Sequence, residues 1–181
     1  MLSKKAKSQL GKDSILKEVL QTTTPLKLPK SGNVYNELVK AIVYQQISYK
    51  AADSIFAKFV GLIGQEAYQP EQLLSLRHDQ LRSVGFSNSK AHYVHNISAF
   101  FKEKSLVGFD WSSLNDKEII DLLSQIKGVG EWTVQMILIF NLQRPDVFPY
   151  KDLAIQLVMK ELYNIQKEKK ALFEEMLQIA D

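Results

Sequence analysis

The chain has 181 residues, 45% of them hydrophobic and 24% charged, a formal net charge of +3 and no cysteine. That length can bury one domain core or at most two small lobes, and the missing cysteines exclude disulfides, thiolate-held metals and iron–sulfur clusters. No apolar run approaches the ~18 residues of a membrane span, the basic start MLSKKAKSQLGKDS has no apolar stretch behind it as a secretory signal needs, and the small excess of Lys and Arg permits a polyanionic partner without demanding one.

Taken in chain order, nearly every segment reads as helix. Residues 1–32 are expected to pack on the core as an N-terminal segment, closed by the breakers Pro25 and Pro29 to Gly32. Residues 33–181 form the main domain. Ala52, Ile55, Phe56, Phe59 and Leu62 follow the i, i+3, i+4, i+7 spacing of an amphipathic helix before Gly64. Val94, Ile97 and Phe101 mark another helix. Ile119, Leu122, Leu123 and Ile126 mark a third, opened by Asn115-x-x-Glu118, which has the form of a capping box. Leu172, Met176 and Ile179 mark the last. No segment alternates with period two for long enough to make a strand, so the spacing predicts an all-α fold of about eight to ten short helices. His92 and His95 share a helix face, but three histidines (with His78) make a poor metal set, and solvated polar positions explain them.

Between two of these helices lies QIKGVGEWTVQMILIF, residues 125–140. A helix ending at Ile126 must turn sharply to start another at Glu131. Gly128 and Gly130 permit positive φ and leave no side chain over the turn. The N–H groups of the turn and of the next helix's first turn then lie bare, which makes an anion site, with Lys127 adding positive charge. A nucleic-acid phosphate suits such a site. A plain connection between helices also explains a G-x-G turn, and core packing explains an apolar helix from Trp132 to Phe140. Downstream, RPDVFPYKDLAIQL carries two prolines and then Asp152 at a helix start. One helix and a returning loop separate it from the hairpin. A carboxylate there is a helix cap, a functional group, or both.

Together these stretches resemble the helix-hairpin-helix DNA glycosylases, in which the hairpin is followed by a Gly/Pro-rich loop and a catalytic Asp. LVKAIVYQQISYKAADSIFAKF is similar to the family's Gln-bearing segment that enters the minor groove, and LRSVGFSNSKAHYVHNI to its middle Gly-Ser-Lys stretch. The motifs occur in the family order over about residues 33 to 160. GVGEWT and VFPxxDLAI resemble the 3-methyladenine DNA glycosylase II branch. The resemblance implies two helical lobes with a DNA-binding cleft. The bifunctional branches carry a nucleophilic Lys two residues after the second hairpin glycine; Trp132 stands there instead, and it cannot form a Schiff base. The expectation is a monofunctional enzyme that uses water to release alkylated purines such as 3-methyladenine and 7-methylguanine.

On that resemblance Asp152 is the catalytic carboxylate, stabilising the oxocarbenium ion. Trp132, Tyr44, Met136 and Phe148 are candidates for the base pocket, with Tyr93 and Tyr150 as weaker aromatic candidates. Lys127, Gly128, Val129 and Gly130 would hold phosphate. Gln45 or Gln46 would fill the gap left by a flipped nucleotide, with Ile47 as an apolar wedge. Ser87, Ser89 and Lys90 would contact flanking phosphate. The carbonyls of Ser124, Ile126 and Val129 would hold a structural Na+ or K+; no cofactor is required. The expected partner is double-stranded DNA carrying damaged bases, met by a monomer with no protein or membrane partner, in the nucleoid of a bacterium or the nucleus of a eukaryote. Two departures stand out: Lys151 precedes Asp152 where the branch often has an acidic residue, and the chain ends at LFEEMLQIAD where the branch usually continues into an aromatic and Arg-containing segment. Two alternatives stay open: a non-catalytic DNA-binding or damage-sensing module, and a glycosylase of this fold for other damaged bases.

Overall fold

The structure is a computed structural model that describes residues 4–24 and 33–180; the breakers Pro25 and Pro29 to Gly32 lie outside the described residues. Among the described residues there is no strand. Eleven α-helices follow one another in these described residues: α1 Lys4–Leu10, α2 Ser14–Thr22, α3 Val34–Tyr44, α4 Tyr49–Ile63, α5 Pro70–Ser75, α6 His78–Ser83, α7 Asn88–Glu103, α8 Asp116–Leu123, α9 Glu131–Met136, α10 Leu153–Leu162 and α11 Lys169–Ala180. The count exceeds the sequence expectation because α5 and α6 are separate pieces of six residues each. None of these helices is long and apolar enough to cross a membrane.

The contacts group the chain into two units, residues 30–147 and residues 1–29 with 148–181. The sequence reading placed an N-terminal segment at 1–32 and the main domain at 33–181.

In the larger unit, α3 and α7 are packed through Leu38, Val39, Ile42, Val94, Ile97 and Phe101, all fully buried. The Tyr35 hydroxyl meets the Ser98 hydroxyl at 2.8 Å, and the Ser98 hydroxyl donates to the Val94 carbonyl, so these two buried hydroxyls are satisfied. Helix α8 starts at the foreseen box: the Asn115 side chain accepts from the Glu118 N–H, and the Glu118 carboxylate accepts from the Asn115 N–H. It ends at Leu123, three residues before the expected Ile126, which instead belongs to the turn.

The apolar run after Trp132 is not one α-helix. Helix α9 gives way at Ile137–Asn141 to a π-helical turn, where the Leu142 N–H donates to the Ile137 carbonyl. Val134 and Leu138 are fully buried, but Trp132 is 42% and Phe140 52% exposed, so only the middle of the run is core. Arg144 anchors the exit: Nη2 donates to the carbonyls of Trp111 and Leu114.

The smaller unit centres on Ile165, Leu172 and Met176, with Phe148, Tyr150, Met159 and Tyr163 packed against them. Asp13 caps α2 by accepting the N–H groups of Ile15 and Leu16 at 2.7 and 2.9 Å, and it also accepts the Tyr163 hydroxyl at 3.0 Å. These bonds hold the Asp13 carboxyl below the usual carboxylate range, the Leu16 N–H contributing most.

Candidate nucleic-acid interface and candidate active site

Gly128 has φ +105°, a conformation that costs an L side chain strain. A Cβ there would lie 2.2 Å from Cγ of Tyr93, so the Tyr93 ring is packed directly on the turn. Tyr93, a stacking candidate on sequence, is a support for the hairpin.

Gly130 does not use the left-handed region; its φ is −96°. It is the residue before α9, makes no side-chain cap, and a Cβ on it would meet nothing within 4 Å. Gly130 thus places no side chain over the start of α9, which leaves room for an anion to approach. Lys127 is exposed beside them.

Two side chains that sequence reasoning did not assign hold the hairpin. Asn96 of α7 donates from Nδ2 to the Lys127 carbonyl at 3.1 Å. Thr133, buried in α9, shares Nε2 of Gln45 with the Gly128 carbonyl, each at 3.4 Å. The signal for Thr133 was present: a hydroxyl residue inside an apolar run needs a buried partner.

The α3–α4 loop carries Gln45, Gln46, Ile47 and Ser48. The expectation left Gln45 and Gln46 interchangeable; the structure separates them. The Gln45 amide nitrogen is engaged on the hairpin. Gln46 is exposed and holds φ +58°, a region that non-glycine residues occupy at a cost of ~1–3 kcal/mol. Ile47 is 38% exposed, and Ser48 caps α4 by accepting from the Ala51 N–H.

Lys90 is engaged within the protein. Its ammonium donates at 2.7 Å to the Val43 carbonyl near the end of α3, and burial pushes its pKa down. Ser87 caps α7 by accepting the Lys90 N–H. Both have local structural roles that the motif alone did not disclose, while Ser89 is exposed on the first turn of α7. His95 is half-buried and depressed in pKa chiefly by that burial, which corrects its reading as a solvated residue; the His78 and His92 rings stack at 4.2 Å. No group of three His, Cys, Asp or Glu side chains among the described residues could hold a metal.

The pocket candidates separate by environment. Trp132 is the exposed one, on the first turn of α9; Met136, one turn further on, is half-buried. Tyr44 packs among Tyr49 and Phe56 and donates its hydroxyl to Asp53 at 2.6 Å; that bond, with burial, pushes its pKa up to about 12. Phe148 packs in the core of the smaller unit, and Tyr150 meets Phe173 edge-on at 5.4 Å.

Asp152, with β-region backbone, caps α10: Oδ1 accepts the N–H groups of Ala154 and Ile155 at 2.9 and 3.2 Å. The Asp152 N–H donates to the Pro149 carbonyl, so the proline loop presets the cap. Lys151 holds its ammonium 5.3 Å from the centre of the Tyr150 ring. That cation–π contact gives the residue's charge a partner of its own.

The family model for the HhH-GPD superfamily of base excision DNA repair proteins matches residues 39–180. The chain belongs to this superfamily. It is 34% identical over 148 residues to a putative DNA-3-methyladenine glycosylase of Bacillus subtilis, a match over 78% of this chain and 51% of that relative. The chain therefore spans about half the relative's length. Among solved structures it is similar to a DNA-3-methyladenine glycosidase from Bacillus halodurans, at TM-score 0.84 and 29% identity, covering 98% of this chain and 81% of the other. It is also similar to the Schizosaccharomyces pombe 3-methyladenine DNA glycosylase in complex with abasic DNA, at TM-score 0.79 and 31% identity, covering 97% and 89%. The superfamily match includes the α3–α4 loop, the hairpin and Asp152.

Proposed function

We propose that the chain is a monofunctional DNA glycosylase that releases alkylated purines, 3-methyladenine and 7-methylguanine, from double-stranded DNA, acting as a monomer wherever the cell keeps its genome. The observation that carries the reading is Asp152, a carboxylate fixed by two N–H groups at a helix start downstream of an uncapped hairpin, in a chain similar to 3-methyladenine glycosylases. The capping bonds fix one oxygen, and with it the carboxylate plane. An anion so oriented stabilises positive charge that develops on a deoxyribose as its N-glycosidic bond breaks. Water adds to C1′, the base leaves with the bonding electrons, and a proton from that water is lost to a base, for which Asp152 is the candidate. An alkylated purine already carries positive charge, so it departs as a neutral base with little acid assistance. Trp132 supplies an exposed aromatic face for such a cation and no amine for strand cleavage.

In this reading the turn at Gly128 to Gly130, the start of α9 and Lys127 hold phosphate, Gln46 and Ile47 enter the gap left by the flipped nucleotide, and Met136 lines the pocket. The carbonyls of Ser124, Ile126 and Val129 would hold Na+ or K+. The Ile126 carbonyl already accepts the Val129 N–H and keeps a second lone pair, and all three are neutral oxygens, which suit a hard monovalent ion better than a transition metal. Bound there, the ion would supply positive charge to the phosphate grip.

One observation favours the non-catalytic alternative: capping α10 is by itself a sufficient reason for Asp152. Asp152→Asn separates the two, because Asn caps nearly as well as Asp. Under single-turnover conditions with saturating enzyme, base release should fall by about 10²–10³ while DNA affinity stays near wild type. Equal release rates for the two proteins would remove Asp152 from the chemistry.

A further inference from the structure

We propose that Gln45 is a positioning residue that ties the inserting loop to the phosphate-holding hairpin, so that Gln46 enters the duplex only in register with the grip on the backbone. The inference rests on the glycosylase reading and concerns a residue whose amide nitrogen is turned to the protein.

The α3–α4 loop is fastened at three places. Lys90 holds the end of α3 through the Val43 carbonyl. Ser48 holds the start of α4. Between them, Gln45 donates to the Gly128 carbonyl and the Thr133 hydroxyl, which lie 83 and 88 residues away along the chain. The residue left unfastened by any of these bonds is Gln46, in the left-handed region at φ +58° and exposed. A strained residue persists only where its surroundings over-determine it. Gln45 is the neighbour that supplies this constraint, and it draws it from the hairpin. The Gly128 carbonyl belongs to the one residue of the turn that is itself held at positive φ and backed by Tyr93. A displacement of the turn by bound phosphate therefore reaches Gln46 through a single side chain.

The test is a double-mutant cycle on discrimination. Affinities of wild type, Gln45→Leu, Gln46→Ala and the double variant are measured for a duplex with a tetrahydrofuran abasic analogue and for the undamaged duplex. Gln46→Ala should lower the preference for the abasic analogue. Gln45→Leu should lower it by about fivefold or more, and the double variant should be no worse than Gln46→Ala alone, because one residue acts through the other. Thr133→Val, which leaves Gln45 intact and removes one of its two partners, should shift the ratio in the same direction by less, and it carries the test if Gln45→Leu does not fold. A preference unchanged in Gln45→Leu or Thr133→Val, with affinity for both duplexes or thermal stability reduced, would show a merely structural role and overturn the proposal. Additive losses in the cycle would show that Gln45 contacts DNA independently and would also overturn it. A wild type that neither prefers the abasic analogue nor releases methylated bases would overturn the glycosylase reading, and this inference with it.

Discussion

At the scale of single residues, one methyl group should separate the two hairpin glycines. Gly128→Ala places a Cβ at φ +105° and 2.2 Å from the Tyr93 ring, so the turn must rearrange. Unfolding experiments should show a loss of more than about 1 kcal/mol. Gly130→Ala meets nothing and needs no unusual φ. It should fold as wild type, yet bind every duplex more weakly and to the same degree, because its methyl stands near the first N–H groups of α9. A stable Gly128→Ala, or a Gly130→Ala defect confined to damaged duplex, would contradict the hairpin assignment. Tyr44 offers a separate check. Its hydrogen bond to Asp53 favours the neutral phenol and raises the folded pKa from 10.0 to about 12. The stability gained from that bond is complete below pH 10 and is lost as pH rises through the folded value. Spectrophotometric titration should show one fewer tyrosine ionising late in Tyr44→Phe than in wild type; an unchanged late fraction would refute the bond.

At the scale of elements, local periodicity found helices and could not find their interruptions. The apolar spacing located α4, α7, α8 and α11, and Asn115 with Glu118 located the start of α8, because a capping box is written within four residues. The π-helical turn at Ile137–Asn141 has no such signature; it is one extra residue accommodated where the chain must pass from α9 to the Arg144 anchor. Its packing is nonetheless specific. Leu138 within it is fully buried, so Leu138→Ala should cost about 2–5 kcal/mol in urea unfolding, and a cost below ~1 kcal/mol would show that the turn is not part of the core. Local structure at the candidate site was legible where residue type alone dictates it, as with the helix start at Asp152 and the turn at Gly128. It was not legible where a partner far along the chain decides. Nothing near Gln45 shows that its amide is committed to Gly128 and Thr133, and nothing near Lys90 shows that its charge serves the Val43 carbonyl. Grouping residues 1–29 with 148–181 is likewise a long-range result, beyond the reach of a window of a dozen residues.

At the scale of the whole molecule, a net charge of +3 supplies little general attraction to DNA. On the proposed reading, binding rests on a local phosphate grip, so about two to six neutralised phosphates should give a log–log salt slope of about −2 to −5. An affinity independent of salt would contradict that grip. The central claim, hydrolytic release of alkylated purines, is tested most directly by incubating the 181-residue chain with methylated duplex DNA, separating freed bases by chromatography and treating a parallel sample with borohydride. The account predicts free 3-methyladenine and 7-methylguanine, a strand that stays intact until alkali cleaves it, and no protein–DNA adduct, because Trp132 stands where a lyase carries its amine. DNA binding without base release, or a trapped covalent adduct, would contradict it.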